Sequence, residues 1–425
     1  MTLGEPHPYP PQGDAPSRRL GRYDLRAKIA DGGMAEVHVA RRVEGPGAGE
    51  VVAIKTIREE FARNQDFVTM FIDEAKIVSR LKHPNVIRYH ELGTDDGQLY
   101  LVMELLFGQS LWSLWEACRA RGVRLRYAMI AWIGARAADG LHYAHELADE
   151  NGVPLEIIHR DVNATNIFVT YDGAVKVIDF GLAKAANRAS KTAAGVIKGK
   201  VAYMSPEQAV GAQIDRRTDV FALGTTLWEL ACDRRLFKRP DDVDTLRRVH
   251  AAEVPDPTRL VDGFPPELWS VLRRALARDP DQRYRTSAEF ARDLDAIFRS
   301  SGTDARAIAT VMRELFEEER TRQMAWVAEV SGPEPSRRPD ELRVPLKMRS
   351  TLWGGDDALA VPPPAPPPRP LALSTPGEVF PSPPPPRPPL AAPARSRARA
   401  GAVIAVAIGT ALTIAILIAA VLTYR

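Results

Sequence analysis

The chain has 425 residues, with 57 Lys or Arg against 54 Asp or Glu, so its formal net charge is only +3. Both signs are well mixed through residue 300, which gives no global field for nucleic acid, and no nucleic-acid partner is predicted. Cys118 and Cys232 are the only cysteines, too few for a disulfide framework or a zinc site.

Residues 1–21 are rich in proline and lack an apolar signal core, which predicts a disordered leader. Alternating β-branched and apolar residues between glycines then predict strands. These strands are expected at 23–30, 36–41, 51–57, 87–92 and 99–104. Residues 64–81 have helical spacing, and long helical patterns dominate from Tyr127 onward. The sequence therefore predicts a small sheet-rich lobe and a larger helical lobe, joined near 104–108 and together spanning 22–298.

Residues 299–330 form a charged extension in which 304–328 reads as one amphipathic helix. The pattern leaves open whether this helix docks on the domain, makes a coiled contact or stays free. Residues 331–400 read as a disordered linker rich in proline. Its proline runs favour a semi-rigid spacer, with a ligand for a proline-motif-binding protein as the alternative.

The run 401–423 is uncharged and long enough, at ~34 Å as a helix, to cross a bilayer. A buried core helix is the alternative. Arginines at 395–399 precede the run and predict a cytoplasmic location for everything before it, with a single-pass anchor in the cell inner (cytoplasmic) membrane. Gly401, Ala405 and Gly409 recur on one face, which suits a homodimer, although such residues are common in membrane helices.

The catalytic motif is the stretch 158–166, in which Asp161 stands five residues before Asn166, followed by Asp179 at the head of an Asp-Phe-Gly triplet. This spacing suits phosphoryl transfer from ATP. Asp161 is placed to accept a hydroxyl proton, while Asn166 and Asp179 are placed to bind Mg²⁺ over the phosphates.

Upstream, a segment containing Gly32 and Gly33 lies between two predicted strands, where bare backbone can approach phosphate oxygens. It is followed by the strand sequence Val52-Ala53-Ile54-Lys55, and Glu74 lies on the next predicted helix. A strand lysine can contact phosphate oxygens when a carboxylate holds it in place.

With these motifs in this order, the chain resembles the bacterial branch of the eukaryotic-like (Hanks-type) serine/threonine protein kinases over about 22–298. The resemblance implies an α+β, two-lobed protein kinase fold with ATP in the cleft and Mg²⁺, or alternatively Mn²⁺, as the metal. The glycine loop departs from the family pattern, because Ala30 and Ala35 replace the first and third glycines.

The resemblance also assigns residues to roles. Catalytic roles fall on Asp161, Lys55 and Glu74, and the metal ligands are Asn166 and Asp179. The ATP site would comprise Ala30, Asp31, Gly32, Gly33, Met34, Ala35, Val37, Ala53, Lys55, Met103, Glu104, Leu106 and Phe168. Structural roles fall on His159, Arg160, Phe180, Glu207, Asp219 and Arg283. Ser190 and Thr192 are the expected activation-loop phosphosites.

Asn163 stands where most serine/threonine kinases have a lysine that contacts the γ-phosphate. Lys200 follows Gly199, where the family has a threonine, and the two family positions touch in space. We therefore predict that Lys200 supplies the missing ammonium as a catalytic residue, with a solvent-facing lysine as the alternative.

The leading hypothesis is a membrane-anchored enzyme that phosphorylates Ser and Thr of cytoplasmic proteins and its own activation loop. A pseudokinase scaffold is the second hypothesis. It is disfavoured because Lys55, Glu74, Asp161, Asn166 and Asp179 are all present. A small-molecule phosphotransferase is disfavoured by the complete activation segment, 179–207, which the family uses to bind protein substrates.

Overall fold

A computed structural model describes residues 18–31, 35–180 and 200–331. Within these ranges, some side chains fall outside the description, namely those of Asp31, Glu59, Glu60, Asp66, Phe67, Met70, Glu74 and Lys200. The predicted leader (1–21, except 18–21), most of the predicted linker and the whole predicted membrane span also lie outside the described residues.

The small lobe is built on a six-stranded antiparallel sheet with the order β1-β2-β3-β4-β6-β5. Its strands are β1 (Arg18–Leu20), β2 (Tyr23–Asp31), β3 (Ala35–Arg42), β4 (Val51–Ile57), β5 (Tyr89–Asp95) and β6 (Gln98–Glu104). The five predicted strands are β2 to β6. Only the short edge strand β1 was missed, because its sequence, Arg-Arg-Leu, shows no apolar alternation.

Period-two alternation divides this sheet into two apolar faces. Tyr23, Val52, Ile54 and their neighbours form a separate outer cluster. The opposite face, which carries Val37 and Ala53, joins the main core of the protein. Short helix α1 (Glu59–Ala62) and helix α2 (Gln65–Val78) follow β4, and the buried stripe Phe71, Ala75 and Val78 explains why α2 packs against the lobe.

The large lobe contains a small sheet and most of the helices. Its strands are β7 (Gly108–Ser110), β8 (Ile167–Thr170) and β9 (Val175–Val177), in that spatial order. Its helices are α3 (Leu111–Ala120), α4 (Tyr127–His145), α5 (Pro206–Ala209), α6 (Arg217–Cys232), α7 (Asp242–Ala251), α8 (Pro266–Ala275) and α9 (Ser287–Ser300). Residues 104–108, which we call the hinge, join β6 to this lobe.

Helix α4 is the centre of the large lobe, and two of its glycines permit close packing. A Cβ at Gly140 would lie 2.5 Å from the Asn85 carbonyl oxygen, and one at Gly134 would lie 2.5 Å from Leu227 Cδ1. Because backbone oxygen cannot move aside cheaply, Gly140 allows the His83-Pro84-Asn85 turn to rest directly on α4. Both cysteines are buried in this lobe, and burial raises the pKa of Cys118 to about 11 and that of Cys232 to about 12.

Two C-terminal helices pack against the rest of the chain: α10 (Arg306–Leu315) and α11 (Glu317–Ser331). The prediction of one helix over 304–328 was wrong, because the backbone leaves helical geometry at Phe316 (φ −129°, ψ 33°). Phe316 is itself buried in the main core, so its packing sets the break. Of the three alternatives for this extension, the structure shows docking. The described helices include none with the length and hydropathy needed to cross a membrane.

Candidate active site

The Asp161 carboxylate is oriented by two neighbouring amides of its own loop. Asn163 Nδ2 donates to Asp161 Oδ1 at 3.1 Å, and Asn166 Nδ2 donates to Asp161 Oδ2 at 3.1 Å. Both amides also donate to the Asp161 carbonyl, at 3.0 and 2.8 Å. The role of Asn163 was missed from the sequence, where it was considered only as a lost lysine. Its Oδ1 also accepts the Thr165 N–H at 2.8 Å, so this side chain closes the loop locally.

Asp219, near the start of α6, holds the same loop from below. Its carboxylate accepts the backbone N–H groups of His159 and Arg160, each at 2.8 Å, and lies 2.8 Å from His145 Nε2. Burial alone would raise the pKa of Asp219, but hydrogen bonds from His145 and from the Arg160 N–H hold that pKa below its ordinary value. These contacts help to keep Arg160 in the left-handed region (φ 68°), which a non-glycine residue seldom adopts.

Lys55 reaches the site from β4. Its Nζ lies 2.8 Å from Asp179 Oδ1, and the pair links the two lobes because Asp179 follows β9 of the large lobe. Asp179 also has a left-handed backbone (φ 62°). The predicted Lys55–Glu74 pair stays a prediction, since the Glu74 side chain lies outside the description, although its helix α2 does follow β4 as expected.

Asp179 and Asn166 are brought together by the small sheet of the large lobe. The Ile178 N–H donates to the Asn166 carbonyl at 2.9 Å, so the residue before Asp179 is bonded to Asn166. Both side chains present oxygen donors, the ligand type that Mg²⁺ prefers. These two residues therefore fit a divalent cation that is completed by phosphate oxygens, as the sequence predicts.

The residues expected around adenine lie where the two lobes meet: most are on the inner face of the small-lobe sheet, and Phe168 is on β8 of the large lobe. Val37 and Ala53 lie on neighbouring strands of this face, and Met103 pairs with Ala53. Ala30, Val37, Ala53, Met103 and Phe168 are all buried in the main core. Of the glycine loop, Ala35 begins β3 and is half-buried, whereas Gly32, Gly33, Met34 and the side chain of Asp31 lie outside the description.

The hinge is held by contacts that the sequence did not suggest. Glu104 Oε1 accepts the Arg88 backbone N–H at 2.7 Å and Lys176 Nζ at 2.8 Å. Lys176 lies on β9 of the large lobe, so the Glu104 side chain connects the hinge with that lobe. Any part that Glu104 plays in nucleotide binding therefore falls to its backbone.

The rings of His159 and Phe180 pack together beneath the site, with centroids 4.7 Å apart, and both residues are fully buried. His159 Nε2 also lies 2.9 Å from the Ile178 carbonyl oxygen. His159 thus connects the Asp161 loop with the Asp179 segment. This agrees with the structural roles expected for both residues.

Glu207 and Arg283 form a two-pronged ion pair, with both Nη–Oε distances at 2.8 Å. Burial would raise the pKa of Glu207, but the hydrogen bonds and charge of Arg283 lower it to about 2. Arg283 also donates to the carbonyls of Ala277 and Arg278, which leaves its guanidinium fully enclosed. The predicted structural pair is therefore present.

The segment that contains Glu207 is also bonded to the Asp161 loop. Ser205 caps α5 in a reciprocal arrangement with Gln208, and Gln208 Nε2 donates to the Arg160 carbonyl at 3.3 Å. The Ser-x-x-Gln spacing was a readable signal for this cap. Ser190 and Thr192 lie outside the described residues, and so does the Lys200 side chain.

The region matched by a known family model nearly coincides with the two lobes, which the sequence places at 22–298. The family model described as the protein kinase domain matches residues 23–293. The kinase domain of Mycobacterium tuberculosis PknI has the same fold, with a TM-score of 0.51 at 24% identity, covering 67% of this chain and 100% of that one.

Three curated relatives match over a similar length of the chain. The chain is 40% identical over 271 residues to Myxococcus xanthus tyrosine-protein kinase MasK, 35% over 283 residues to Mycolicibacterium smegmatis serine/threonine-protein kinase PknB, and 32% over 272 residues to Bacillus subtilis serine/threonine-protein kinase PrkC. Each alignment covers 64% of this chain but only 42%, 42% and 40% of the respective relative, so the chain spans about two fifths of their length. Because the family model covers more than half of the chain, the protein belongs to the protein kinase family.

Proposed function

We propose that this protein is a serine/threonine kinase that transfers the γ-phosphoryl group of Mg-ATP to hydroxyl groups of other proteins and of its own activation segment. The observation that carries the proposal is a continuous path of contacts through the site. Asp161 is bonded to Asn166, Asn166 to the residue before Asp179, and Asp179 to Lys55. These are the groups that phosphoryl transfer needs in one place.

Each described residue has a definite task in this reaction. Asp161, fixed by its two amide donors, orients the substrate hydroxyl and accepts its proton as the oxygen bonds to the γ-phosphorus and the bond to ADP breaks. Lys55 is an ammonium held by a carboxylate, ready to contact phosphate oxygens. A bound Mg²⁺, held by Asn166 and Asp179, would neutralise the charge that develops on the phosphate oxygens.

The test is phosphoryl transfer from labelled ATP to a generic protein substrate and to the chain itself. We expect Asp161→Asn to lose ~100- to 10,000-fold in turnover while nucleotide affinity stays within a few fold, because only the base is removed. Asp262→Asn, at an exposed position, is the matched control. Wild-type chain that binds Mg-ATP without transferring phosphate would instead support the scaffold alternative.

The observations on residue preference point in different directions. PknB and PrkC are named serine/threonine kinases, whereas MasK is named a tyrosine kinase. The loop 161–166 lacks the Ala-Ala-Arg-Asn and Arg-Ala-Ala-Asn patterns of tyrosine kinases, which favours serine and threonine. Acid hydrolysis of the labelled product, followed by separation of the three phosphoamino acids, decides between serine or threonine and tyrosine as the phosphorylated residue.

Lys200 is the proposed source of positive charge at the γ-phosphate. Its support is the fixed orientation of Asn163, which is committed to Asp161 and Thr165 and carries no charge. Lys200→Met is expected to lower turnover by ~100-fold. Adding Asn163→Lys to that variant is expected to restore part of the loss; near-normal turnover of Lys200→Met alone would contradict the proposal.

We further propose that residues 401–423 anchor the chain in the cytoplasmic membrane with the kinase domain in the cytoplasm and the proline-rich segment as a spacer. The support is the uncharged 23-residue run behind three arginines. The full chain is expected in the membrane fraction after carbonate washing, and a chain ending at 400 in the soluble fraction. Crosslinking of the full chain tests the homodimer, and pull-down with the proline-rich segment tests a proline-motif-binding partner.

A further inference from the structure

The two C-terminal helices lie beyond the residues that the kinase family model matches, yet they are bonded to the kinase domain. Arg121, at the end of α3, donates to the Glu314 carbonyl at 2.9 Å and to the Leu315 carbonyl at 2.8 Å. These are the last carbonyls of α10, which have no partner within their own helix, and a cation is favourable at that end. Arg121 thus fixes α10 to the large lobe.

Helix α11 reaches the other lobe. It contacts β3 and β4 of the small-lobe sheet, while α10 contacts α3 and β8 of the large lobe. Trp326 and Val330 of α11 are buried in the same apolar cluster as Val37 and Ala53. We call α10 and α11 together the C-terminal helix pair. A change in the angle between the lobes has to disturb one of these contacts.

Between the two lobes, the helix pair is bonded to the hinge itself. Gln323 Nε2 on α11 donates to the Leu106 carbonyl at 3.2 Å, and the next carbonyl, that of Phe107, accepts the Tyr171 N–H at 3.0 Å. Two successive hinge peptides are therefore held by two different elements. Leu106 is also one of the residues expected to bind adenine.

Gln323 would be an unfavourable residue at this position if its only role were packing. It is 4% exposed, and its Oε1 is buried without a hydrogen-bond partner among the described residues. A buried acceptor without a partner lowers stability, and an apolar side chain of the same length would avoid that cost. The amide is therefore explained by what its donor does at the hinge.

We propose that Gln323 is a positioning residue for the nucleotide: by holding the Leu106 peptide, it keeps the hinge in the geometry that receives adenine. A backbone fixed before binding loses less conformational freedom when the ligand arrives, so affinity rises without a new contact. The inference rests on the proposed kinase activity, and it assigns to the C-terminal helix pair a part in ATP binding.

The test compares steady-state kinetics and Mg-ATP affinity of the full chain with those of Gln323→Met, which keeps the length of the side chain and removes its donor. The KM for ATP is expected to rise about 3- to 10-fold, the size of one hydrogen bond, with kcat within about twofold and thermal stability unchanged or higher. Loss of stability with an unchanged KM is what a purely structural role would give.

Two control variants separate the hinge contact from general effects. Met324→Ala changes the exposed neighbour on the same helix, and Gln98→Met removes another glutamine donor, the one 2.6 Å from the Ile57 carbonyl. Neither is expected to change the KM for ATP. If Gln323→Met does not fold, Gln323→Leu, which also lacks the donor and introduces no charge, is expected to show the same rise in KM.

An unchanged KM in the Gln323 variants overturns the inference while the proposed function stands. A lower KM also overturns it, because the helix pair would then oppose nucleotide binding. Wild-type chain without affinity for Mg-ATP would overturn the proposed function, and this inference with it.

Discussion

The Lys55–Asp179 and Glu207–Arg283 pairs have the same shortest nitrogen–oxygen distance, 2.8 Å, but different surroundings. The Lys55 and Asp179 side chains keep 14% and 20% of their exposure, whereas Arg283 keeps none and Glu207 11%. The first pair stands in the cleft, where each partner can turn to a nucleotide or a metal. The second pair is enclosed by backbone carbonyls, so neither partner can turn to a different group. Ion pairs with equal shortest distances thus serve chemistry in one place and stability in the other.

Of the variants that compare the two pairs, the one that breaks the cleft pair should have the largest effect on activity. Lys55→Met should lower kcat/KM by ~100- to 1,000-fold, because an ammonium aimed at the phosphates is lost. The melting temperature should change little, since the remaining Asp179 carboxylate is still partly exposed. Lys82→Met, at an exposed position, is the control. A large loss of stability in Lys55→Met would erase the distinction between the two pairs.

Breaking the enclosed pair should have the opposite signature. Glu207→Gln is expected to cost ~3–5 kcal/mol in the free energy of unfolding, measured with urea, because a buried guanidinium loses its charge partner. Asp73→Asn removes the partner of the surface pair with Lys76, in which both side chains are well exposed, and should cost less than about 1 kcal/mol. Equal costs for the two variants would contradict the structural role of Glu207.

The pH dependence of stability sharpens the same contrast. The pKa of Glu207 is about 2 in the folded chain against an ordinary value of 4.5, so its contribution is complete above pH 4.5 and is lost as the pH falls toward 2. The difference in unfolding free energy between wild type and Glu207→Gln should therefore shrink across that window. A difference that stays constant down to pH 2 would show that the carboxylate charge is not what stabilises the pair.

A smaller effect is expected at the base. Asn163→Ala removes one of the two described amide donors to the Asp161 carboxylate, and kcat is expected to fall about 10-fold, the size of one hydrogen bond to a charged group. The KM for ATP should stay near that of wild type. Turnover equal to that of wild type would mean that the Asn163 amide is not needed to orient the base.

The sequence was informative where chemistry depends on residue type at fixed spacing. Asp161, Asn166 and Asp179 were identified because phosphoryl transfer needs those groups in that order, and the lobes followed from strand and helix periodicity. The Glu207–Arg283 pair is separated by 76 residues and was found only through the family resemblance.

Other contacts had no local signal. At Asn163 the sequence showed only that the family lysine is missing. Its bonds to Asp161 and Thr165 were not predicted, because they depend on the loop conformation. The Gln323–Leu106 contact joins residues 217 apart, and no spacing rule predicts it. The break at Phe316 was missed because the apolar spacing continues across it, and the buried position of that ring appears only when the chain is folded.

Burial of Cys118 and Cys232 makes the chain a convenient subject for site-directed labelling. Both thiols stay protonated at neutral pH, so maleimide reagents should leave the native chain largely unmodified. A cysteine introduced by Met324→Cys on the exposed side of α11, paired with Val123→Cys at the exposed turn after α3, would accept a donor and an acceptor dye. Energy transfer between the dyes would then follow separation of the C-terminal helix pair from the large lobe in solution.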